Sequence, residues 1–228
     1  MKDKRCDIAS AVAGIPNGAS VMVSGFGSSG TPFSLIDELI NQGQQDLTII
    51  KNDANEDGVG LYKLVKTGRV KKLYATHIGL NTMVMKLAES GEMDVELIPQ
   101  GIMAERIRCA GVGVAGFLST IGLDIDYGKG KPTVEVDGEK YIFEKALGAD
   151  FAIIRAEIAD TFWNMRYNTA GINFAPLMAM AADITLVEAK KVVDVGEIDP
   201  EDVHASGISV DYVSQITNFT GEYNAIRR

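Results

Sequence analysis

The 228-residue sequence has little of what several large classes of protein require. Its two cysteines, Cys6 and Cys109, are too few for a disulfide framework and lack the spacing of metal ligands. The uncharged stretch 109–123 contains four glycines and is too short to span a bilayer. No apolar run typical of a signal peptide follows the first residues. We therefore expect a cytoplasmic protein with no membrane association and no metal site.

Positive charge is also scarce. Lysine and arginine together number 22 against 31 acidic residues, which gives a formal net charge of −9. Because nucleic-acid binding depends on clustered cations, we do not expect a nucleic-acid partner. The negative net charge does not exclude an anionic small-molecule ligand, since backbone N–H groups can bind an anion without any cationic side chain.

Short β-branched runs alternate with helical patterns along the chain. Strands are predicted at 20–24, 47–50, 72–75, 95–98, 151–154 and 184–187, and helices at 31–42, 58–66, 81–89 and 176–182. This rhythm predicts an α/β fold with an open, mainly parallel sheet flanked by helices. Alternating residues around Asp137 and Gly138 add a β-hairpin near 133–143. We expect one domain over 1–228, with a flexible tail after about residue 214.

A glycine-rich turn follows the first predicted strand. Its residues are Ser24, Gly25, Phe26, Gly27, Ser28, Ser29 and Gly30. The spacing G-x-G-x-x-G, with Asp53 further along, matches the dinucleotide-binding fingerprint. Pro32 opposes that interpretation, because a helix that began inside the turn would contain this proline at a cost of about 3 kcal/mol.

The helix is instead predicted to begin at Pro32, with Thr31 as its N-cap and Gly43 just beyond its end. The turn at 24–30 is then free to direct backbone N–H groups at a carbonyl oxygen, a carboxylate or a phosphate. On chemistry alone, a plain strand-to-helix connection remains open as the alternative.

Several separated segments carry a resemblance to a known family. Residues 17–32, with the glycine turn, resemble the A-subunit signature of family I CoA-transferases, which include acetate, butyrate–acetoacetate and 3-oxoacid enzymes. Residues 90–101, with their Pro-Gln-Gly turn, and 104–108 are similar to the family, as are 173–182 and 196–200. The segments occur in the family's order and cover nearly the whole chain.

The resemblance implies an enzyme that transfers CoA between short-chain carboxylic acids through a glutamyl-CoA thioester. In the two-subunit members the nucleophilic glutamate lies in a Ser-Glu-Asn-Gly segment of the B subunit, which this sequence lacks. The resemblance thus implies no catalytic nucleophile in this chain and a B-subunit partner, in an assembly of two A and two B chains. Coenzyme A would be a substrate, and no cofactor would be permanently bound.

The same resemblance assigns ligand contacts to this chain. The turn at 24–30, the Asn52 amide, and Gln100 with Gly101 are implied to bind acyl-CoA and to stabilise oxyanions. Asn52 and Gln100 each follow a predicted strand, and such strand ends meet at one edge of a parallel sheet. From residue type alone, turn capping accounts for both amides. Two departures from the family are Ser24, where glycine is usual, and Trp163, which we expect at a surface or an interface.

Other interpretations compete with this one. An acidic loop with Asp53, Glu56 and Asp57 is expected to be solvated rather than catalytic. A phosphosugar isomerase of related fold would need a phosphate-binding cation near the turn, and none is close in sequence. A non-catalytic module that senses acyl-CoA or a nucleotide, and a dehydrogenase, complete the alternatives.

Overall fold

A computed structural model describes residues 3–223. Its strands are β1 Ser20–Val23, β2 Leu47–Lys51, β3 Val70–Ala75, β4 Asp94–Leu97, β5 Gly116–Ser119, β6 Thr133–Val136, β7 Glu139–Lys145, β8 Ala149–Asp160, β9 Met165–Arg166, β10 Ala182–Val193 and β11 Tyr212–Gln215. Its α-helices are α1 Ile8–Val12, α2 Phe33–Gln42, α3 Leu61–Lys66, α4 Thr82–Ser90, α5 Gln100–Gly111 and α6 Ala175–Ala181.

The main sheet has the strand order β11-β10-β8-β1-β2-β3-β4, and all of these strands are parallel. The short β9 pairs antiparallel with β8. A separate antiparallel sheet has the order β5-β7-β6. This confirms the predicted fold class. The predicted hairpin is also confirmed, since Asp137 and Gly138 both have the positive φ of a type I′ turn.

Helices cover both faces of the main sheet because successive strand residues point to opposite sides. One apolar cluster lies under α1 to α4 and includes Leu35, Ile49 and Leu73. The other lies under α5 and α6 and includes Ile50 and Met178. No helix in the described part of the chain is long and apolar enough to cross a membrane.

The glycine turn is followed by a helix that begins slightly later than predicted. Pro32 occupies the N-cap position, and α2 begins at Phe33. Thr31 does not cap the helix, because its hydroxyl donates to the Gly27 carbonyl at 2.7 Å. The C-terminal prediction is confirmed, since Gly43 has φ +90° and donates to the Leu39 carbonyl. The helix start therefore leaves the turn outside the helix.

The segment after β11 is fastened to the body of the protein as far as Tyr223. The Tyr223 ring packs edge-on against Phe33 with centroids 5.1 Å apart, and its hydroxyl donates to Glu188 at 3.0 Å. Glu222 accepts from the Gly60 amide at 3.0 Å and from Lys63 Nζ at 2.7 Å. The expectation of a flexible tail extends to residues 224–228, which lie outside the described residues.

Trp163 is not at a surface, contrary to the expectation from the sequence. It is 2% exposed and packs in the cluster beneath α5 and α6. Its φ of +68° falls at the left-handed position of the turn that joins β8 to β9, where a type I turn is normally followed by glycine. Asp160 organises that turn by accepting from the Phe162 and Asn164 amides.

We predict that Trp163→Gly destabilises the fold by about 1–4 kcal/mol in urea denaturation. Loss of a buried aromatic side chain costs about 3–5 kcal/mol, and relief of the left-handed backbone returns about 1–2 kcal/mol. Phe162→Ala is the matched control, because Phe162 is 48% exposed in the same turn; it should cost less than about 1 kcal/mol. A Trp163→Gly protein as stable as the wild type would contradict this account.

Glu188 is a carboxyl group buried completely within the sheet. Its oxygens accept from the Leu35 amide at 3.1 Å and from the Tyr223 hydroxyl at 3.0 Å. Burial raises the pKa of Glu188 from 4.5 to about 8, which outweighs these hydrogen bonds and the charge of Arg155. The folded protein thus binds a proton here that the unfolded chain releases above pH 4.5.

We predict that stability falls as pH rises from about 4.5 to about 8, because in this window the folded state binds more protons than the unfolded state. Glu188→Gln imitates the protonated carboxyl and should remove this slope, so that the variant is the more stable protein above pH 8. Exposed Glu135→Gln should keep the wild-type pH profile of the melting temperature. Identical profiles for Glu188→Gln and wild type would overturn the assignment.

Candidate functional site

A cavity of about 650 Å³ lies at the carboxyl ends of β1, β2 and β3. It is lined by Phe26, Gly27, Ser28, Ser29, Asn52, Asp53, Glu56, Thr76, His77, Leu80 and Gln100. The cavity therefore brings together the glycine turn, Asn52 and Gln100, in agreement with the strand-end rule. Gly101 lies just beyond it, beside a neighbouring cavity of about 400 Å³ that also contacts Phe26 and Gln100.

The glycine turn is a miniature hairpin. The Phe26 amide donates to the Ser29 carbonyl at 2.8 Å, and the Ser29 amide donates back to Phe26 at 3.2 Å. Gly27, with φ +58°, and Ser28 are the two central residues, a pattern that fits a type II′ turn. Ser28 therefore stands at the tip of the hairpin, and it lines the cavity.

Ser24 closes the base of this hairpin and is fully buried. Its hydroxyl donates to the Gly30 carbonyl at 2.7 Å and accepts from the Arg155 amide at 3.1 Å. A glycine, usual in the resembling family, could make neither contact. Gly30 in turn approaches Gly171 so closely that a Cβ would lie 2.5 Å from the Gly171 carbonyl oxygen. Both ends of the turn are thus held from behind.

Most backbone amides of the turn donate hydrogen bonds to other groups of the protein. The Ser24 amide donates to the Ile153 carbonyl, and the Phe26 and Ser29 amides close the hairpin. The Gly27 amide donates to Asp53 Oδ2 at 2.8 Å. Among the described residues, the Ser28 amide and hydroxyl have no hydrogen-bond acceptor. Ser28 therefore carries the donors at the tip that remain for a ligand.

Asp53 is buried and ionised, which corrects the expectation of a solvated loop. It is 7% exposed. Its carboxylate accepts from Gly27 N, Asn52 Nδ2 and Asn55 N at 2.8–3.0 Å and from Lys51 Nζ at 3.3 Å. Burial opposes ionisation, but the Lys51 charge and these hydrogen bonds outweigh it and hold the pKa of Asp53 below its usual value.

Lys51 is the partner of this carboxylate and is 0% exposed. Its ammonium contacts Asp53 Oδ1 and the Gly25 carbonyl, each at 3.3 Å. Burial lowers the pKa of Lys51, although the Asp53 charge works in the opposite direction. The pair thus joins the end of β2 to the glycine turn from beneath.

Asn52 and Gln100 form a hydrogen-bonded pair at the cavity wall. Gln100 Nε2 donates to Asn52 Oδ1 at 2.7 Å, while Asn52 Nδ2 donates to Asp53. Gln100 is exposed and opens α5, with Pro99 as its N-cap, so it does not lie in the simple turn expected from the sequence. The amide of Asn52 is therefore held by the protein, and Gln100 presents the outer amide.

The sequence interpretation missed Thr76, His77 and Leu80 as cavity residues. Thr76 Oγ1 donates to the Asn52 carbonyl at 2.8 Å, and His77 bridges to Asp53 in the extension of β3 beside β2. The signal was present, because Thr76 and His77 follow a predicted strand just as Asn52 does. No group of three or more His, Cys, Asp or Glu able to hold a metal ion occurs within residues 3–223.

Comparison with known proteins adds to this geometry. The model of the family described as coenzyme A transferase matches residues 5–215. The chain belongs to this family. It is 41% identical over 213 residues to the alpha subunit of acetate CoA-transferase from Escherichia coli strain K12, covering 93% of this chain and 97% of that one. It is 42% identical to the corresponding subunit of 3-oxoadipate CoA-transferase from Pseudomonas putida, covering 92% of each.

The fold is similarly shared with solved coenzyme A transferase structures. An acyl-CoA transferase from E. coli O157:H7, solved as a thioester complex with CoA, has a TM-score of 0.84 at 25% identity. The alignment covers 98% of this chain and 49% of the other, so this chain spans about half of that protein. The present chain is thus an alpha-type subunit of the coenzyme A transferase family, which confirms the resemblance found in its sequence.

We predict that Asp53→Asn destabilises the protein by about 3–5 kcal/mol, because it leaves the Lys51 ammonium buried without its counter-charge. Adding Lys51→Met should recover part of that loss, since it removes the stranded charge. Asp94→Asn is the control, because Asp94 pairs with Lys72 at 3.0 Å on the surface; it should cost less than about 1 kcal/mol. Equal effects at the two sites, measured by urea denaturation, would refute the role of the buried pair.

Proposed function

We propose that this chain forms half of an active site that transfers CoA between short-chain carboxylic acids of the acetate, acetoacetate and butyrate class. In this proposal a B subunit supplies a glutamate, on which a glutamyl-CoA thioester forms. The relatives, which are subunits of acetate and 3-oxoadipate CoA-transferases, support CoA transfer between carboxylic acids, and the acetate enzyme supports the short-chain class. An assembly of two A and two B chains, a cytoplasmic location and the absence of a permanent cofactor belong to the same proposal.

The observation that carries the proposal is the convergence of neutral donors on one cavity. The Ser28 amide at the hairpin tip and the Gln100 amide at the start of α5 both line it. Each acyl-transfer step places negative charge on a former carbonyl oxygen, and preorganised donors at that oxygen lower the barrier. Asn52 supports the arrangement by fixing Gln100 through their 2.7 Å hydrogen bond.

The chemistry divides into two balanced half-reactions. The glutamate carboxylate supplied by the B subunit first attacks the acyl thioester carbonyl, and the CoA thiolate leaves as an acyl-glutamyl anhydride forms. The thiolate then attacks the glutamyl carbonyl, which releases the first acid and leaves the glutamyl-CoA thioester. A second acid reverses these steps. Two carbonyl carbons pass through tetrahedral oxyanions, and Ser28 and Gln100 are our candidates for stabilising one of them.

The hydrogen bonding of Asp53 is consistent with a nucleophile that is supplied by another chain. Its carboxylate receives four hydrogen bonds, including one from buried Lys51, and these withdraw the electron density that an attack requires. Glu56 also lines the cavity. If Glu56→Gln abolished thioester formation in the assembled enzyme, the nucleophile would have to be assigned to this chain.

The residues lining the cavity argue against a phosphosugar isomerase. No arginine or lysine is among the cavity-lining residues that the structure describes, and Lys51, which lies beneath, is committed to Asp53. A sugar phosphate bound within this cavity would therefore contact no cation on the cavity lining.

We predict that the purified chain alone does not transfer CoA, and that activity appears when its B subunit is added. In the assembled enzyme, Gln100→Ala should lower kcat about 100-fold, the usual cost of one lost oxyanion donor. Gln45→Ala is the matched control, since Gln45 is exposed just before β2, at the amino end of the strands and away from the cavity. It should retain wild-type kcat in an assay of acetyl-CoA formation from acetate.

Turnover of acyl-CoA by this chain alone would contradict the half-site. Wild-type kcat in Gln100→Ala would remove Gln100 from the proposed oxyanion donors while leaving the two-subunit mechanism standing.

A further inference from the structure

A second cavity, of about 260 Å³, lies behind the glycine turn. Its lining consists of Ser28, Ser29, Gly30, Arg155, Glu157, Asn168, Thr169, Gly171, Lys190 and Tyr223. Ser28 and Ser29 also line the larger cavity. The two cavities therefore share the tip of the hairpin, and a ligand lying across Ser28 and Ser29 would reach both.

Arg155 supplies an uncommitted positive charge to this second cavity. It lies on β8, level with the residues just beyond the end of β1, and is half-buried. Its guanidinium carbon lies 4.6 Å from the centre of the Tyr223 ring. Within residues 3–223 its guanidinium has neither an ion-pair partner nor a hydrogen-bond acceptor. An arginine that packs on an aromatic ring and has free N–H donors is suited to bind a planar anion such as a carboxylate.

The other charges around the cavity do not cancel that of Arg155. Lys190 and Glu157 form an ion pair with each other. Glu188 lies opposite Arg155 on β10, but its carboxyl is bound to the Leu35 amide and the Tyr223 hydroxyl. With its pKa raised to about 8 by burial, Glu188 is largely protonated at neutral pH. The cavity therefore keeps one net positive charge.

One residue of the cavity lining beside the turn, Thr169, has a strained backbone. Thr169 has φ +50°, which is an outlier for a β-branched residue. Its Oγ1 lies 3.4 Å from Ser29 Oγ, so the strained residue holds a hydroxyl against the glycine turn. Strain of this kind costs about 1–3 kcal/mol and is concentrated at ligand sites. Hydroxyl donors thus flank the Arg155 charge.

We propose that the second cavity binds a carboxylate, the distal carboxylate of a dicarboxylic acyl group, through a bidentate contact with the Arg155 guanidinium. The reacting carbonyl of the same acyl group would lie in the larger cavity, beyond Ser28. This inference rests on the proposed CoA transfer and makes Arg155 a specificity-determining residue. A monocarboxylic acid such as acetate does not reach Arg155 and so does not depend on it.

The test compares two acceptors in the assembled enzyme. Values of kcat/KM for CoA transfer to succinate and to acetate are measured for wild type, Arg155→Met and Arg155→Lys. Methionine keeps an apolar stem against Tyr223 and removes the charge. We expect Arg155→Met to lower kcat/KM for succinate roughly 10- to 100-fold, the loss expected for a charged hydrogen bond, with acetate unchanged. Arg155→Lys should restore part of the succinate activity.

Arg108→Met serves as the matched control, because Arg108 lies on α5, is 44% exposed and pairs with Glu105. It should leave both acceptors at wild-type values. Equal losses for succinate and acetate in Arg155→Met would overturn the proposal, since they indicate a general structural role. A wild-type enzyme that uses acetate but not succinate would also overturn it, while leaving CoA transfer itself intact. Absence of transfer to any acid would refute the proposed function first.

Discussion

The candidate site depends on one hydrogen bond, from the Gly27 amide to the Asp53 carboxylate at 2.8 Å. It joins the tip of the glycine turn to the end of β2, two segments that are separate in the chain. A buried carboxylate is stable here only because Lys51, two residues earlier on the same side of the strand, is buried with it. The cost of desolvating both charges is offset by the backbone and amide groups that complete the hydrogen bonds of Asp53.

This anchor decides which groups are left for a ligand. Because Asp53 accepts from Asn52 Nδ2, the Asn52 oxygen faces Gln100 and accepts from its amide. Asn52 therefore positions Gln100 at the cavity that both residues line. In the same way, Asp53 takes the Gly27 amide and leaves the Ser28 amide at the tip. The donors of the site are therefore positioned by a series of hydrogen bonds that begins at the buried Asp53 carboxylate.

The sequence predicted the elements whose signals are local. Pro32 moved the helix start beyond the turn, Asp137-Gly138 set the hairpin, and strand ends brought Asn52 and Gln100 to one edge. It did not predict α5, because Pro99 and Gly101 on either side of Gln100 are typical of a turn. In the structure Pro99 serves as the N-cap, which needs no N–H from the proline.

The sequence also did not predict that charged groups are buried at the site. Asp53 stands in an acidic stretch that looks solvated, and only the three-dimensional approach of the glycine turn covers it and Lys51. The burial of Trp163 was not predicted for a related reason. A surface position for Trp163 requires an exposed turn. In the structure Gly207 packs against this turn so closely that a Cβ on Gly207 would lie 2.2 Å from the Phe162 carbonyl oxygen. Such contacts join distant segments and leave no periodic trace in the sequence.

Neutral donors suit the chemistry proposed for this chain better than cations would. Every substrate and product acid in CoA transfer is a carboxylate, so a free ammonium at the reacting carbonyl would bind the resting acids as strongly as the transition state and would gain no rate. In this structure Lys51 beneath the cavity is neutralised by Asp53, and the proposed oxyanion donors, Ser28 and the Gln100 amide, are neutral groups. They become strong only when a carbonyl oxygen acquires charge, which is the moment at which stabilisation accelerates the reaction.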